Sequence, residues 1–462
     1  MKILSELLPI VGLLGVIAFV LRRLPKIELG HTNAFLRRRT LNWLPLGLTY
    51  AFLYMGRYNI NVAKVAEIAG RPVMTKEELG LITVAGTTTY AIAFLINGPI
   101  ADRFGGRKTI IAAALGSAAA NCAMGMVLQS GYEGSLVLPF GSLYAINMYF
   151  QSFGAVSIVK VNASWFHVKE RGTFGGIFGI LISLGLYFAY DWGTPIARVL
   201  SPQWVFFIPT LILVVFAALD YKLVFDRPSG TGHPDFDTGD ASSGESGGPD
   251  PVFEVVKRMV KNPVIVTIAL IEMCSGFVRG GIMKWGYVFA AETGQVFLTR
   301  HWGAFLCAAG ILGGVFAGTI SDRVFQSRRG PSAVILYALG GVSVGLAAAF
   351  IASPAAAYIL IFSILSIIGV HGMLSGTASM DFGGRRNVGV AVGLIDGMVY
   401  LGYGAQSLFI SQVLPTGAAQ EDPTQWRVWL LLVLPATVLG FALSLRIWNA
   451  KPQPKTAPGA ES

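Results

Sequence analysis

The sequence predicts an all-α polytopic membrane protein: two six-helix halves related by a pseudo-two-fold axis, preceded by one extra N-terminal hydrophobic helix. The first observation is composition, because 53% of the 462 residues are hydrophobic and only 13% are charged. Soluble domains carry about 25% charged residues. The second observation is that apolar runs of about 20 residues, the length that spans a bilayer, recur along the chain. The third is a basic loop that occurs twice.

The repeated loop indicates a duplicated half. Its first copy is the stretch 98–108, GPIADRFGGRK, and its weaker second copy begins at 318 with GTISDR, so the two aspartates stand 220 residues apart. We interpret each copy as a tight turn in which glycine lets two helices approach closely, aspartate caps the next helix and arginines stay in the headgroup layer. The residues assigned to the two loops are Gly98, Asp102, Arg103, Arg107, Asp322 and Arg323.

Five segments follow one another along the chain. Residues 1–42 hold the extra hydrophobic helix, near 3–21, and a basic segment; we interpret the helix as an uncleaved anchor because no small-residue cleavage site closes it. Residues 226–262 are a cytoplasmic linker, flexible where Gly, Ser, Asp and Pro dominate, and 448–462 are a disordered tail. The first half, 43–225, has spans near 43–66, 79–101, 108–130, 136–160, 172–192 and 203–224. The second half, 263–447, has spans near 263–290, 302–321, 332–352, 355–380, 388–412 and 427–447.

Lysine and arginine predict the orientation of the chain. With the extra helix starting outside and the spans alternating, 24 of the 35 basic residues lie in cytoplasmic segments, 6 lie outside and 5 lie within spans. This asymmetry agrees with the positive-inside rule. We therefore expect the linker and the carboxyl terminus to be cytoplasmic.

Several classes of function are excluded by the sequence. The net charge of +10 does not indicate nucleic-acid binding, because the basic residues cluster in loops that flank the membrane. Cys122, Cys274 and Cys307 all fall inside apolar runs, which favours core packing over disulfides or metal ligation. No phosphate-binding loop of the G-x-x-x-x-G-K-[ST] type occurs, so ATP does not drive the protein directly. His167 and His371 stand alone, and we assign them loop and packing roles. We expect no metal, no cofactor and no enzymatic activity.

Polar side chains inside the first span form one stripe. Tyr50, Tyr54, Arg57, Asn61 and Lys64 are spaced 4, 3, 4 and 3 residues apart, which places all five on one helical face. Ionisable groups at membrane depth are costly and are functional candidates by default. The stripe therefore faces the interior of the bundle, although Lys64 could instead end its span and reach toward the interface.

The seventh span repeats this arrangement with Glu272, Ser275 and Arg279 on one face. Arg279 stands 222 residues after Arg57, almost the offset of the loop repeat, so the two arginines occupy equivalent positions in the two halves. We expect them to face each other at similar depth. The remaining candidates are Lys160 in the fourth span, Lys284 in the seventh, and Asp396, Tyr400 and Tyr403 on one face of the eleventh.

More modest interpretations exist for several of these residues. Lys284 could reach toward the interface beside its neighbouring tryptophan, and Asp191 could be an ordinary helix-end residue. Asp396 could form a structural ion pair with Lys160, and Glu272 one with some neighbour. The tyrosines could serve packing alone.

The charge balance of the spans indicates what kind of molecule the protein binds. Five deep positions are positive and two, Glu272 and Asp396, are negative, which leaves a cationic cavity. A guanidinium binds phosphate or carboxylate through two parallel hydrogen bonds. The expected guest is therefore an organic anion.

These residues resemble the major facilitator superfamily and, more narrowly, its organophosphate:phosphate antiporter family, over about residues 43–447. The resemblance is carried by the 98–108 loop and by three motifs, 54–59 (YMGRYN), 165–172 (WFHVKERG) and 277–285 (FVRGGIMKW). It implies that Arg57 and Arg279 hold the phosphoryl group of a substrate, and that Asp102 braces the outward-facing state. Four positions differ from the usual pattern. Tyr58 and Lys284 replace a lysine and an acid, and about Phe94 and about Ile182 stand where a lysine and a histidine are expected.

The resemblance predicts a secondary transporter of a phosphorylated metabolite, a sugar phosphate or glycerol phosphate, exchanged for inorganic phosphate by alternating access in a bacterial inner (plasma) membrane. A proton-coupled symporter of a carboxylate or sugar acid, with Asp396 or Glu272 protonated, and a non-transporting anion sensor are the alternatives. The partners are then a small anion, phosphate or protons, and the lipid bilayer, and we expect a monomer. The candidate substrate-binding residues are Arg57, Arg279, Tyr54, Lys160, Tyr50, Asn61, Asp396 and Tyr400.

Overall fold

The computed structural model describes residues 2–23, 29–68, 70–167, 170–238, 252–326, 328–374 and 388–450. Residues 239–251 of the predicted linker and all of the chain from 451 onward lie outside these ranges. The described part is almost entirely helical, with one short antiparallel hairpin of β1 (Glu67–Ile68) and β2 (Arg71–Pro72).

The extra helix and the first half account for the first eight helices. They are α1 Lys2–Arg23, α2 Asn33–Val65, α3 Lys76–Phe104, α4 Gly106–Gln129, α5 Val137–Trp165, α6 Arg171–Tyr187, α7 Gly193–Val199 and α8 Trp204–Leu223. A π-helical turn, Phe188–Trp192, connects α6 to α7 within the predicted fifth span.

The linker remnant and the second half account for the other described helices. They are α9 Val252–Val260, α10 Pro263–Glu292, α11 Val296–Thr319, α12 Arg329–Ala349, α13 Ala355–His371, α14 Val388–Ser411 and α15 Arg427–Arg446. A π-helical turn, Ile320–Val324, follows α11 and includes the second Asp-Arg loop. We call the end of the bundle where the linker leaves α8 and enters α10 the linker side, and the opposite end the far side.

Local sequence signals fix where the long helices begin. Thr75 and Glu78 form a reciprocal capping box at α3, and Asn262 accepts hydrogen bonds from the first turn of α10. The side chain of Thr32 accepts from Phe35 N–H, so α2 begins at Asn33, well before the predicted span start at 43. The predicted basic segment is therefore the first turns of α2, where Arg39 pairs with Glu170 at 3.0 Å.

Eight of the described helices are long and apolar enough to cross a membrane. They are α3, α4, α8, α10, α11, α12, α13 with its short extension, and α15 with the turn before it. α2 is not among them because its polar stripe lowers its mean hydropathy. The stripe residues are nevertheless buried inside the bundle. A helix that is wrapped by other helices does not need a lipid-compatible surface on every face.

Among the described residues, most contacts between the two halves come from three pairs of helices. α3 packs on α14, where Thr87 lies against Gly404; α6 packs on α11, where Ser183 lies against Gly310. α2 meets α10 at the far side. The helix α1 lies along the α6–α11 pair: Leu13 and Val20 are buried with Ile180, Ala304, Cys307 and Ile311.

Candidate functional site

Arg57 lies in the middle of the bundle and is held by neutral partners. Its guanidinium donates from Nε to Gln151 Oε1 at 2.7 Å, from one terminal nitrogen to Tyr400 Oη at 2.7 Å and from the other to Tyr90 Oη at 3.1 Å. It also lies 4.5 Å from the ring centre of Tyr54. Only 1% of Arg57 is exposed, so a buried cation is stabilised here by hydroxyl, amide and aromatic groups.

A polar network in the first half fixes the direction of Gln151. Its amide donates to Asn147 Oδ1 at 3.0 Å, and the Asn147 amide donates to the Gly56 carbonyl at 2.9 Å. Asn121 donates to the same carbonyl and accepts from Asn59 at 2.7 Å. Because the donors of Gln151 are used in this way, its carbonyl oxygen is left to accept from Arg57. The backbone next to Arg57 is thus tied to α4 and α5.

Arg279 is buried in a different way. It is 9% exposed, its Nε has no hydrogen-bond partner, and no hydrogen bond or ion pair to it is formed by the described residues. Both Arg279 and Arg57 interact electrostatically with Tyr54, Tyr58 and Tyr400. The three tyrosines therefore lie close enough to interact with the arginines of both halves. The structure brings together Arg57, Arg279, Tyr54 and Tyr400 from the predicted set.

Other predicted residues stand further from this centre. Tyr50 packs its ring against Tyr54, with ring centres 5.3 Å apart. Asn61 donates to Tyr190 Oη at 2.8 Å, so its amide is engaged one turn nearer the far side than Arg57. Lys160 and Asp396 are half-buried and each has a polar partner.

One interpretation of the sequence was that Lys284 reaches toward the membrane interface, and the structure contradicts it. Lys284 is 1% exposed and donates to Thr83 Oγ1 at 2.8 Å and Ser407 Oγ at 2.7 Å. Thr83 belongs to α3 and Ser407 to α14, so this lysine bridges the halves. The helix α10 is surrounded by other helices at this depth, which leaves the side chain no path to lipid.

An ion-pair cluster joins the halves at the far side. Glu292, at the end of α10, pairs with Lys64 Nζ at 2.9 Å and also with Lys76. Lys76 further donates to the Pro415 carbonyl at 2.5 Å and to Gln420 Oε1 at 3.1 Å. Lys64 therefore ends its span by pairing with the other half and not by reaching into the headgroup layer.

Asp191 is a cross-half cap and not an ordinary helix-end residue. Its two carboxylate oxygens accept from the N–H groups of Gly303 at 2.8 Å and Ala304 at 3.0 Å. These N–H groups follow a kink at His301, where the backbone of α11 leaves helical geometry. The kink exposes N–H groups that have no partner in their own helix, and a carboxylate from the first half satisfies them.

The predicted loop residues are placed only in part. The side chains of Asp102 and Asp322 lie outside the described residues, while Arg103 and Arg323 are exposed. Arg107 N–H, in the first turn of α4, donates to Asp226 Oδ1 at 2.9 Å, so Asp226 supplies a cap to this helix. The Arg107 guanidinium donates to the Tyr221 carbonyl and lies 4.6 Å from the ring centre of Phe225.

The expected close approach of helices at Gly98 is wrong. A Cβ added there would meet no atom within 4 Å. The tight positions are Gly105, whose φ of +87° favours glycine and where a Cβ would stand 2.6 Å from Asp226, and Gly106, where a Cβ would stand 2.8 Å from the Ser157 carbonyl. The turn needs glycine where the chain reverses, about two helical turns after Gly98.

Sequence reasoning missed several partners. Gln151 and Tyr90 were not singled out, because an amide and a phenol in apolar spans carry no charge signal. His371 was assigned to packing, yet its Nδ1 lies 2.8 Å from Glu272 Oε2. Among the described residues, no group of three His, Cys, Asp or Glu side chains could hold a metal ion.

Comparisons with known proteins agree with this arrangement. A family model described as the Major Facilitator Superfamily matches residues 46–407. The glycerol-3-phosphate transporter of Bacillus subtilis is 26% identical over 438 residues, which cover 90% of this chain and 94% of that protein. The membrane sensor protein UhpC of Escherichia coli is 25% identical over 450 residues, covering 92% of this chain and 95% of that protein.

A solved structure has a similar fold. A bacterial homologue of the human lysosomal transporter Spinster, in an inward-facing and unoccupied conformation, matches with a TM-score of 0.64 at 14% identity and covers 90% of this chain and 98% of that one. Likeness at this identity concerns the fold alone, and it confirms the predicted fold of two six-helix halves.

Proposed function

The chain belongs to the Major Facilitator Superfamily, and on this premise we propose that it is a secondary active transporter of a phosphorylated organic anion. The substrate is a sugar phosphate or glycerol phosphate, and inorganic phosphate is the counter-substrate. Support comes from relatives named as transporters of glycerol-3-phosphate and hexose phosphate, each aligned over most of its length. We assign phosphoryl binding to Arg57 and Arg279.

The observation that carries this proposal is the state of Arg279. Its guanidinium is almost fully buried, and no carboxylate among the described residues pairs with it or with Arg57. A buried cation without a counter-ion is costly, because its desolvation is not repaid. A dianionic phosphoryl group placed between the two arginines neutralises both and accepts charge-assisted hydrogen bonds from each. Tyr54 and Tyr400 form the walls of this site, with Tyr50 behind Tyr54.

The cross-half contacts support a transport cycle in which the two halves rock against each other. The Glu292 cluster, the Asp191 cap and the Lys284 bridge all lie nearer the far side of the bundle than Arg279 does. This conformation is therefore closed at the far side, and the anion exchanges with the linker side. Breaking these contacts opens the far side. Lys160 and Asp396 make secondary contacts to the substrate, and the two Asp-Arg loops brace the far-open state.

The protein acts in a bacterial inner membrane as a monomer, with the linker side in the cytoplasm. The positive-inside count favours this orientation, and the matched relatives from Bacillus subtilis and Escherichia coli favour a bacterial membrane. The far side then faces outward, and the conformation is the inward-facing one.

The test is exchange in proteoliposomes. Liposomes loaded with inorganic phosphate and containing the full chain should take up labelled glycerol-3-phosphate or glucose-6-phosphate, and liposomes without internal phosphate should not. Arg279→Lys should reduce the uptake strongly. Arg38→Lys is the matched control, because Arg38 donates to the Leu223 carbonyl on the linker side, outside the site. If uptake does not depend on internal phosphate and is abolished by a protonophore, the protein is a proton-coupled symporter and the proposed exchange is wrong.

A sensor is the second candidate, because the relative from Escherichia coli that aligns over 92% of this chain is named a membrane sensor protein. A sensor binds the anion at the same arginines but moves none across the bilayer. Any flux that saturates with substrate and is lost in Arg279→Lys excludes this candidate, whereas tight binding with no flux in either direction would establish it over transport.

A further inference from the structure

A buried acid–imidazole pair lies in the second half, apart from the arginines. Glu272 on α10 is fully buried, with 0% exposure, and its Oε2 lies 2.8 Å from Nδ1 of His371 at the end of α13. The second oxygen, Oε1, is buried and has no hydrogen-bond partner. The His371 side chain is 23% exposed. One member of the pair is thus sealed in the core, and the other is partly exposed at the surface of the bundle.

We propose that Glu272 and His371 form a proton-binding site that takes up one proton when an anion binds at Arg279. The anion part of this inference rests on the proposed function. The pair has two states that differ by one proton. In the first, neutral His371 donates Nδ1–H to the Glu272 carboxylate and the net charge is −1. In the second, Nε2 of His371 has accepted a proton from water and the net charge is zero.

The geometry of α10 connects this pair to the anion site. Glu272 and Arg279 are seven residues apart, which places them on one helical face about 10 Å apart along the axis. The two side chains interact electrostatically in this conformation. While Arg279 is unliganded, its charge favours the −1 state of the pair. An anion bound at Arg279 cancels that charge, so the zero state becomes favoured and a proton enters.

The surroundings add few competing charges. On α10 the other titratable neighbour is Cys274, and on α12 it is Tyr337, whose hydroxyl donates to the Ile271 carbonyl at 2.6 Å. On α14, Asp396 lies one turn before Val399, which contacts Gly276 of α10. Arg279 on α10 is therefore the cation that interacts both with the bound anion and with the Glu272–His371 pair. A unit charge about 10 Å away changes proton affinity by on the order of tenfold.

The proton route points to the linker side. α10 begins there at Pro263, and Glu272 comes seven residues before Arg279, so the pair lies between the anion site and the linker side. His371 is the last residue of α13, on the same side. In the far-closed conformation the exposed edge of His371 can exchange protons with that side. By linkage, protons that bind more tightly with the anion make the anion bind more tightly at low pH.

The experiment measures protons taken up on binding, with no need for transport. The purified full chain is titrated with inorganic phosphate and with glycerol-3-phosphate by calorimetry, in two buffers that differ in ionisation enthalpy, across about pH 5–8, where histidine titrates. The wild type should take up close to one proton more per ligand than Glu272→Gln at some pH in this range. Its affinity should fall by on the order of tenfold with rising pH, and the affinity of Glu272→Gln should fall much less.

Two further variants keep the result interpretable. His371→Gln should lose the same proton, and it replaces Glu272→Gln if that variant does not fold. Asp220→Asn is the matched control: Asp220 is also fully buried, with one oxygen bonded to Thr49 at 2.7 Å and one unpartnered, but it lies in the first half and has no imidazole. It should bind with the proton count of the wild type.

Each outcome decides between the two proposals. Equal proton counts in the wild type, Glu272→Gln and His371→Gln, with binding intact, overturn the proton site and leave the anion site standing. If instead the proton uptake on binding is lost in Asp220→Asn, the proton site lies in the first half, and the inference is also overturned. Absence of binding of both ligands to the folded wild type overturns the proposed function, and the coupling falls with it.

Discussion

Arg57 and Arg279 occupy equivalent positions in the two halves but are held very differently. Arg57 has three hydrogen-bond partners, from α3, α5 and α14, whereas the Nε of Arg279 has none. The first arginine is therefore fixed by the protein itself. If both arginines bind the phosphoryl group as proposed, the second makes its best contacts only with an anion, so the two substitutions should have different consequences.

The first prediction concerns lysine at these two positions. Arg279→Lys should keep the melting temperature of the free protein and weaken phosphate binding roughly ten- to a hundredfold, because charged hydrogen bonds are worth about 1.5–3 kcal/mol each. Arg57→Lys should weaken binding as much and also lower the melting temperature, because Gln151, Tyr90 and Tyr400 lose a partner. The measurements are phosphate affinity and thermal unfolding of each variant.

The double variant completes this test. One bound group depends on both guanidiniums, so the two effects on affinity should be strongly non-additive. Lysine retains the charge but not the planar fork. Wild-type affinity in either single variant would show that the arginine is structural, and the phosphoryl assignment would be wrong.

At the scale of elements, the kink in α11 determines how the α6–α11 pair closes. The break at His301 turns the following residues into a new helix start inside the membrane region. Asp191 from the π-helical turn after α6 accepts from two N–H groups of this start. A helix start buried without such a partner would be costly, so the kink and the π-helical turn depend on each other across the two halves.

The second prediction follows from this cap. Asp191→Asn removes the charge and one acceptor, which costs about 1 kcal/mol, so the far side should open about fivefold more often. The reporter is a cysteine at Ser411, which is 6% exposed and faces Gly80 across the α3–α14 pair, labelled with a maleimide in a background without native cysteines. Because this reporter lies on the other helix pair, faster labelling also indicates that the halves move as rigid bodies.

Asp422→Asn is the control for this variant. Asp422 caps the turn before α15 through Thr424 N–H at 2.9 Å, within one half. It should leave the labelling rate at Ser411→Cys unchanged. Unchanged labelling in Asp191→Asn as well would mean that the cap is not part of the closure.

At the scale of the whole molecule, the polar contacts between halves described above are concentrated toward one side. The Glu292 cluster places one carboxylate against two lysines, all at most 11% exposed by side chain. Both lysines belong to the first half and the carboxylate belongs to the second. Separation of the halves at the far side therefore has to break both ion pairs at once.

The third prediction is that Glu292→Gln opens the far side. The variant leaves Lys64 and Lys76 together without a counter-charge, and loss of one partner of a buried pair is strongly destabilising. Labelling of the Ser411→Cys reporter should rise by on the order of tenfold or more. Glu170→Gln is the matched control, because the Arg39–Glu170 pair at 3.0 Å lies on the linker side within the first half. If both variants label alike, the cluster does not hold the far side closed.

The fourth prediction concerns the sidedness of the whole bundle. A cysteine introduced at Ser243, in the linker, should resist an impermeant thiol reagent in intact cells and react after the membrane is opened. The Ser411→Cys reporter should react from outside whenever the far side opens. Labelling of the linker in intact cells would reverse the proposed orientation.

Much of the fold could be predicted from the sequence. The confirmed architecture of two six-helix halves follows from the length of the apolar runs and from the 220-residue repeat, both of which are properties of the chain in order. The stripe of α2 was visible because helical periodicity is local. The start of α2 was missed because Thr32 caps it outside the apolar run.

The sequence by itself indicated that Arg57, Arg279, Lys284 and Glu272 are buried charges and that the two arginines occupy equivalent positions in the repeat. Only the tertiary structure decided their partners: Gln151 for Arg57, Glu292 for Lys64 and His371 for Glu272, at separations of 94, 228 and 99 residues. The physical reason is that burial and periodicity are encoded along one helix. A hydrogen bond between helices depends instead on the rotation and depth at which two distant helices pack, and no local pattern records these.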